Sequence, residues 1–478
     1  KVKNNGTNIQ VETESDAWET GSNTEGNLTL KGIVDKENSV LPEGVRVNEA
    51  CDSVFVPLWE TAFELGLLAE EGAVLRINGY AYGAEIQQAK SRGLSNIATV
   101  SVTSKHKAPG TIHEYVYLDV LKNEILKGRV VMVFQPNPII LTGSLQFDDN
   151  GTCDYNKYID GELGRITLPE GKTATLEFAD NEAKWMKLDQ VNENEYRILG
   201  GWKPNDPQAD GRKQAAVLVV TDVDGRHREA YTIMRKNWGL PVVNMNGTWW
   251  CKYNLRGNVK NFEDQILVGN DPLSEVNLGD YLRTCTDEEF LQILGDHYQA
   301  GNPEGLKLTN NGTQFFYEGY QTSINVNFGS LKPTVMAPDG YQIPGYDDFR
   351  FFTWDNNSNL KYFDPGAFDN KLGQRLNFWV VERNATFQGL QYGPISFYDF
   401  EYEGNHWTIC GTGHQWDSSN ISSMSLIFAT YGNNNNSWMI EGYSKSSGKG
   451  NWFKYAAHNP QKTRIIRCIK TPVEYIYE

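Results

Sequence analysis

Three observations predict a mainly β, multi-domain fold for this chain. Short runs of apolar, β-branched and aromatic residues recur at roughly ten-residue intervals, bounded by Gly, Asp and Asn turns. Thr, Val and Tyr fill those runs, a composition suited to a pleated, half-buried surface. At 478 residues the chain is longer than one hydrophobic core organises, so several domains are expected. A hydrophobic fraction of 39 % with 12 % aromatics supports real cores rather than disorder.

Taken in order, residues 1–26 are polar and read as a flexible tether. Residues 27–138 hold strand-like runs such as AVLRINGYAY, IATVSVTS and RVVMVFQ, which predict a β-rich domain, the first of two immunoglobulin-like β-sandwich modules. Within it, PLWETAFELGLLAEEG (57–72) repeats Leu58, Ala62, Leu65 and Leu68 at helical spacing, which predicts a helical insert. Residues 139–236 follow with short strands and an Asp224-Gly225 pair between VLVVTDV and RHREAYTIM. That is a hairpin signal, and the whole reads as an immunoglobulin-like β-sandwich acting as a spacer. The stretch 236–243 reads as a linker into a third domain, residues 237–478. There Phe290, Leu291, Leu294 and Tyr298 share one face behind Asp287, Glu288 and Glu289, predicting a helix over 286–300.

The most informative stretch is APDGYQIPGYDDFRFFTW, residues 337–354. A Pro-Asp-Gly turn leads into a short apolar strand that Pro344 and Gly345 stop, and aromatics then recur at helical spacing behind Asp347 and Asp348. This predicts strand, turn and helix. With Gly340, Tyr341, Ile343 and Pro344, the stretch resembles the signature of the Fibrobacter succinogenes major paralogous domain. That domain is a bacterial relative of the formylglycine-generating-enzyme and C-type-lectin-like folds. GTWWCKYNL (247–255) is similar to its opening segment and RIIRCIK (464–470) to its closing strand; Ala337 stands where the family carries Cys, and Tyr341 where it carries Trp. The resemblance covers roughly the last half of the chain and implies an α+β, lectin-like C-terminal domain.

A net charge of −16 without a basic run excludes nucleic acid as the expected partner and argues against adhesion to anionic lipid. Cys51, Cys153, Cys251, Cys285, Cys410 and Cys468 stand singly with no CxxC spacing, so neither zinc nor a redox motif is indicated, and small buried hydrophobes are expected. No segment approaches bilayer-spanning length, and a leader upstream of Lys1 is expected. Proteins similar to this one are commonly lipid-anchored on an upstream Cys, so the resemblance implies membrane contact through such an anchor only.

Nine of the thirteen tryptophans fall at or beyond Trp238. A sugar ring has an apolar face and a hydroxyl rim, so its site needs an aromatic platform beside amides and carboxylates. Three Gly/Asn/Ser-rich loops offer that mixture: HQWDSSN, YGNNNNSW and SSGKGNW. The candidate glycan contacts are Trp416, Asp417, Asn420, Tyr431, Asn434, Asn435, Trp438 and Trp452, whereas Trp379 and Trp407 alternate with aliphatics in strands and read as core. Catalytic residues are not expected: no HExxH or GxSxG is present, and His414 reads as a solvated loop histidine. Cys410 and Cys468 are spaced unlike the paired cysteines of the formylglycine-generating enzymes, so the resemblance is to the fold alone. No metal or other cofactor is expected. The calcium-site motifs of C-type lectins are missing, and FDDNGTCDYN (147–156) lacks EF-hand spacing.

The leading expectation is therefore a non-enzymatic surface glycan-binding lipoprotein of the Bacteroidota type, facing outward from the outer membrane. It would pass a polysaccharide, such as a fructan or α-glucan, to a SusC/SusD-like importer complex. An adhesin or fimbrial-tip protein that binds a protein partner is the alternative, and a glycan-cleaving enzyme the second.

Overall fold

The computed structural model describes residues 32–89, 97–109, 113–201, 203–352, 366–416, 420–421, 426–432, 437–442 and 452–474, together with short strand segments within 1–31 and at 360–361. The protein is mainly β and multi-domain, and residue proximity divides it into two units. One comprises Lys1–Asn156, Gly161–Gly200 and Gln214–Arg235; the other comprises Lys157–Asp160, Gly201–Lys213 and Lys236–Glu478. No helix among the described residues is long and apolar enough to cross a membrane.

In the first unit, a four-stranded sheet (Ala84–Ala89, Ile97–Ser104, Thr61–Leu68, Val34–Val40) packs on a five-stranded one (Arg46–Val47, Ser53–Val56, Ile125–Phe134, Glu114–Lys122, Val74–Gly79). Their shared core takes alternate residues from each strand: Phe63, Leu65 and Leu67 meet Val116, Leu118, Val130 and Met132. The helix expected over 57–72 is instead the strand Thr61–Leu68. The reason is the period of burial: Phe63, Leu65 and Leu67 point inward at every second residue, and Ala62 and Leu68, meant for a buried helical face, are exposed.

Two further four-stranded sheets occupy residues 140–238. Their strand Glu229–Trp238 alternates buried and half-buried residues along its whole length. The hairpin read at Asp224-Gly225 is present: Asp222 N–H donates to the Arg226 carbonyl at 2.9 Å, and Gly225 takes φ +81°. The expected linker at 236–243 is ordered β structure. It joins the strands Glu229–Trp238 and Val242–Met245 and buries Leu240 and Val242, because those aliphatics complete a core.

In the second unit, the three stretches that carry the family resemblance lie side by side. Thr248–Cys251, Ile469–Lys470 and Tyr341–Gln342 are neighbours in one sheet, with Trp250 opposite Ile469 and Gln342 opposite Ile469 from the other side. Beyond the short strand, Gly345 N–H donates to Asp348 Oδ2 at 2.7 Å and opens the helix Tyr346–Phe349, which tightens into the turn Arg350–Phe352. Phe349, Phe351 and Phe352 join Trp250, Phe378, Phe400 and Trp407 in an aromatic core; Trp354 lies outside the described residues.

Helix Asp287–Ile293 starts where expected, Thr286 Oγ1 accepting the Glu289 N–H at 3.2 Å. It stops well short of residue 300. Gly295 turns the chain at φ +79°, and His297 and Tyr298 then bridge to Leu306 and Arg464 as extended backbone. A long antiparallel sheet (Gly366–Asp369, Arg375–Phe387, Leu390–Tyr402, Asn405–Gly411) completes the scaffold. Trp407 is buried as expected; Trp379 is half-buried, since its strand turns Phe378 and Val380, not Trp379, toward the core.

Candidate functional site

An open cleft of about 600 Å³ lies within the second unit. One wall is the hairpin Val242–Met245/Thr248–Cys251, turned by Asn246 and Gly247 at φ +56° and +90°. Because successive side chains on a strand face opposite ways, Trp250 is fully buried and Trp249 is left half-buried on the cleft wall, directly opposite Asn244. Asn205 pins the hairpin's edge, its amide donating to the Val242 carbonyl at 2.8 Å and its oxygen accepting the Val242 N–H at 2.9 Å.

A second wall is the loop leading into helix Leu278–Thr284. Asn277 caps this helix by accepting the Gly279 and Asp280 N–H groups, and Asn244 Oδ1 accepts the Gly247 N–H at 2.7 Å. Among the described residues no acceptor engages the amide N–H₂ of either Asn244 or Asn277, so both remain donors for a ligand. Lys252 reaches Asp271 Oδ2 at 3.4 Å, and burial draws its ammonium below the usual lysine range. Asp271 is committed inward, accepting the Tyr253 hydroxyl at 2.5 Å and the Leu273 N–H at 2.8 Å.

The third wall is the start of strand Asn405–Gly411, which brings Asn405, His406, Trp407 and Thr408. Thr408 donates to Asp399 Oδ1 at 3.1 Å, and His406 Nδ1 stands 3.6 Å from the same oxygen. Burial raises the Asp399 carboxyl above its usual range, with His406 the largest opposing influence. The cleft thus combines one indole surface, several amides and few committed charges. It can cover the apolar face of a polyhydroxylated ring and hydrogen-bond its rim.

Of the eight residues expected from sequence, the three whose side chains are described, Trp416, Asn420 and Tyr431, do not line this cleft. Trp416 is 45 % exposed, with Lys462 Nζ 5.7 Å from its ring centre. Trp438 and Trp452 belong to strands, Ser437–Gly442 and Trp452–His458, rather than loops, because both segments pair in a sheet; Trp438 sits opposite Thr430 and Ala457. Tyr431 covers Gly345 so closely that a Cβ there would meet its ring at 2.6 Å, a packing role. Asn420 is half-buried and donates to the Ile421 carbonyl at 3.0 Å; Asp417, Asn434 and Asn435 lie outside the described residues. His414 is buried, not solvated.

Elsewhere in this unit, a cavity of about 180 Å³ is lined by His297, Tyr317, Tyr392 and leucines. Its polar atoms are bonded within the fold: His297 Nε2 lies 2.7 Å from Thr412 Oγ1, and burial beside His414 lowers the His297 imidazole to about 3. Among the described residues no cluster of His, Cys, Asp and Glu is arranged to hold a metal ion, and Cys153, Cys251, Cys410 and Cys468 are buried free thiols.

No family model matches the chain, and no curated protein matches it. Among solved structures, the cadherin-like domains 1 to 4 of zebrafish RET are 13 % identical over 40 % of this chain and 50 % of that one, with a TM-score of 0.15. An endo-fucoidan hydrolase of glycoside hydrolase family 107 is 9 % identical over 74 % of this chain and 41 % of its own, with a TM-score of 0.18. A titin immunoglobulin tandem is 7 % identical over 40 % of this chain and 94 % of its own, with a TM-score of 0.17. The chain spans about half of the RET structure it resembles. At these TM-scores the likeness bears on no functional argument.

Proposed function

We propose that the second unit binds a neutral polysaccharide without cleaving it, and that the cleft walled by Trp249 is its binding site. The observation that carries this reading is the pairing of a half-buried indole with unengaged amide donors on Asn244 and Asn277, beside the exposed Asn405. Stacking a pyranose or furanose face on Trp249 removes apolar surface from water, and the amides replace the water lost from the hydroxyl rim. With Asp271 turned inward onto Lys252, the exposed Glu275 in the same cleft disfavours uronic or sulfated sugars, in keeping with the chain's net charge of −16.

On this reading the protein is a surface glycan-binding lipoprotein that captures a fructan, an α-glucan or another neutral glycan for a SusC/SusD-like outer-membrane importer. The resemblance to the Fibrobacter succinogenes major paralogous domain supports it, as does the meeting of that domain's three marks in one sheet. Affinity electrophoresis of the full chain through gels containing fructans, α-glucans and plant glycans tests it. Migration should be retarded by at least one neutral glycan, the Trp249→Ala variant should run free, and prolonged incubation should release no reducing ends. Unretarded migration on every glycan sinks the reading, and release of reducing ends replaces it with an enzyme.

A further inference from the structure

His406 stands at the edge of the cleft with a buried carboxylate behind it. On the antiparallel pair Leu390–Tyr402/Asn405–Gly411, Thr408 lies opposite Asp399 and His406 opposite Glu401, so His406 is the diagonal neighbour of Asp399 on one face. Asp399 is 2 % exposed. Its Oδ1 accepts the Thr408 hydroxyl and faces His406 Nδ1, and its Oδ2 abuts Gly279, where a Cβ would come within 2.7 Å. Trp379 stacks on the imidazole with centroids 6.3 Å apart and planes 20° apart. The Nδ1 atom is buried with no partner within hydrogen-bond distance, Asp399 Oδ1 facing it at 3.6 Å, while the side chain as a whole is 36 % exposed. That leaves the Nε2 edge to face the cleft that His406 lines.

A buried carboxylate is costly without a partner that carries a proton toward it. The other charged groups around the pair are Asp280 and Arg283 on helix Leu278–Thr284, 2.9 Å apart and partnered with each other, and Glu401 on the strand of Asp399. Lys252, Asp271 and Glu275 share the cleft. Glu401 is held by the Gly404 N–H and by Asn377, so beside the Thr408 hydroxyl it is the His406 imidazole, 3.6 Å away, that faces Asp399 Oδ1.

We propose that His406 is the residue that orients the ligand in the cleft, presenting unprotonated Nε2 to a ligand hydroxyl, and that Asp399 is a positioning residue that keeps the imidazole proton on Nδ1. The inference rests on the cleft being the glycan site. It adds a requirement on the ligand: the group meeting His406 is a free hydroxyl, which can donate, and not an ether or ring oxygen, which can only accept.

The test uses the full chain carrying ¹⁵N-labelled histidine, with the His406 ring resonances identified by their loss in His406→Gln. At pH 7.5 they should show the Nδ1-protonated tautomer. Asp399→Asn should shift the tautomer toward Nε2–H, which a merely structural Asp399 would not do. Maltoheptaose, nystose and xylohexaose are the ligand probes. Any that quenches fluorescence in the wild type but not in Trp249→Ala should move the Nε2 resonance and weaken at least tenfold in His406→Ala. An Nε2-protonated wild type, or a quenching probe that leaves His406 unmoved, overturns the proposal and leaves the glycan cleft standing. Failure of all three probes to quench removes this proposal together with the cleft.

Discussion

Trp407 donates its indole N–H to the Cys251 carbonyl oxygen at 3.1 Å, joining the end of the opening Trp-Trp-Cys strand to a strand 156 positions further along the chain. Its ring stacks on Phe352, with centroids 4.6 Å apart, so one side chain ties the hairpin wall of the cleft to the aromatic core. Trp407→Phe should keep most of the packing and lose the hydrogen bond, at about 1 kcal/mol. Trp407→Ala should cost about 3–5 kcal/mol through the cavity it leaves. Urea titrations of both variants check the ordering, and equal losses would show that the ring packing contributes nothing beyond the hydrogen bond both variants lack.

Trp249 should behave in the opposite way. It is half-buried and exposes one side to the cleft, so Trp249→Ala should lower glycan affinity roughly tenfold, about 1–3 kcal/mol for a lost stacking contact. Its melting temperature should fall by less than that of Trp407→Ala. Early melting with unchanged glycan affinity would place Trp249 in the core and the site elsewhere.

In the first unit, Glu229 is buried with Tyr231 and Asn137, each bonded to its Oε1 at 2.9 Å. Burial raises its carboxyl from 4.5 to about 7. Because the folded value lies above the unfolded one, this group's contribution to stability is full below pH 4.5 and is lost as pH rises through about 7. Lys107 close by is lowered by burial from 10.5 to about 8, so its contribution is full above 10.5 and is lost as pH falls through 8, a separate window. Unfolding free energy measured against pH should therefore lose its Glu229 slope between pH 4.5 and 7 in Glu229→Gln. Parallel curves for variant and wild type would rule out Glu229 as the source.

Gly295 ends helix Asp287–Ile293 at φ +79°, and a Cβ there would stand 2.7 Å from the Leu255 carbonyl oxygen. Gly295→Ala should destabilise by about 2 kcal/mol or more, through backbone strain and the clash together. Substituting Gly312, which also has positive φ but open space around it, should cost only the conformational part. A smaller loss at Gly295 than at Gly312 would contradict the packing argument.

Much of the secondary structure was legible in the chain alone, because period and turn chemistry are local. The alternation of Glu229–Trp238, the Asp-Gly hairpin and the Thr286 cap with acids behind it each appear where their residues place them. So does the strand, turn and helix around Pro344. At 57–72 two periods fitted the same letters, and only packing against the facing sheet chose the strand, since Phe63, Leu65 and Leu67 could then share one core. The helix over 286–300 was overextended for a similar reason. Phe290 and Tyr298 are both buried, but in different clusters beyond a glycine turn.

The cleft was illegible because its parts are distant: Asn205, Trp249, Asn277 and His406 span two hundred positions and meet only when sheets and helix assemble. Composition pointed to tryptophans in polar loops. In the fold, pairing drew two of those segments into strands, while the adjacent pair Trp249 and Trp250 parted to opposite faces of one strand. The sequence by itself determined that Trp249 and Trp250, once in a strand, face opposite sides of it. Only the tertiary structure decided which of them the aromatic core would take, and hence which indole was left to line a cleft.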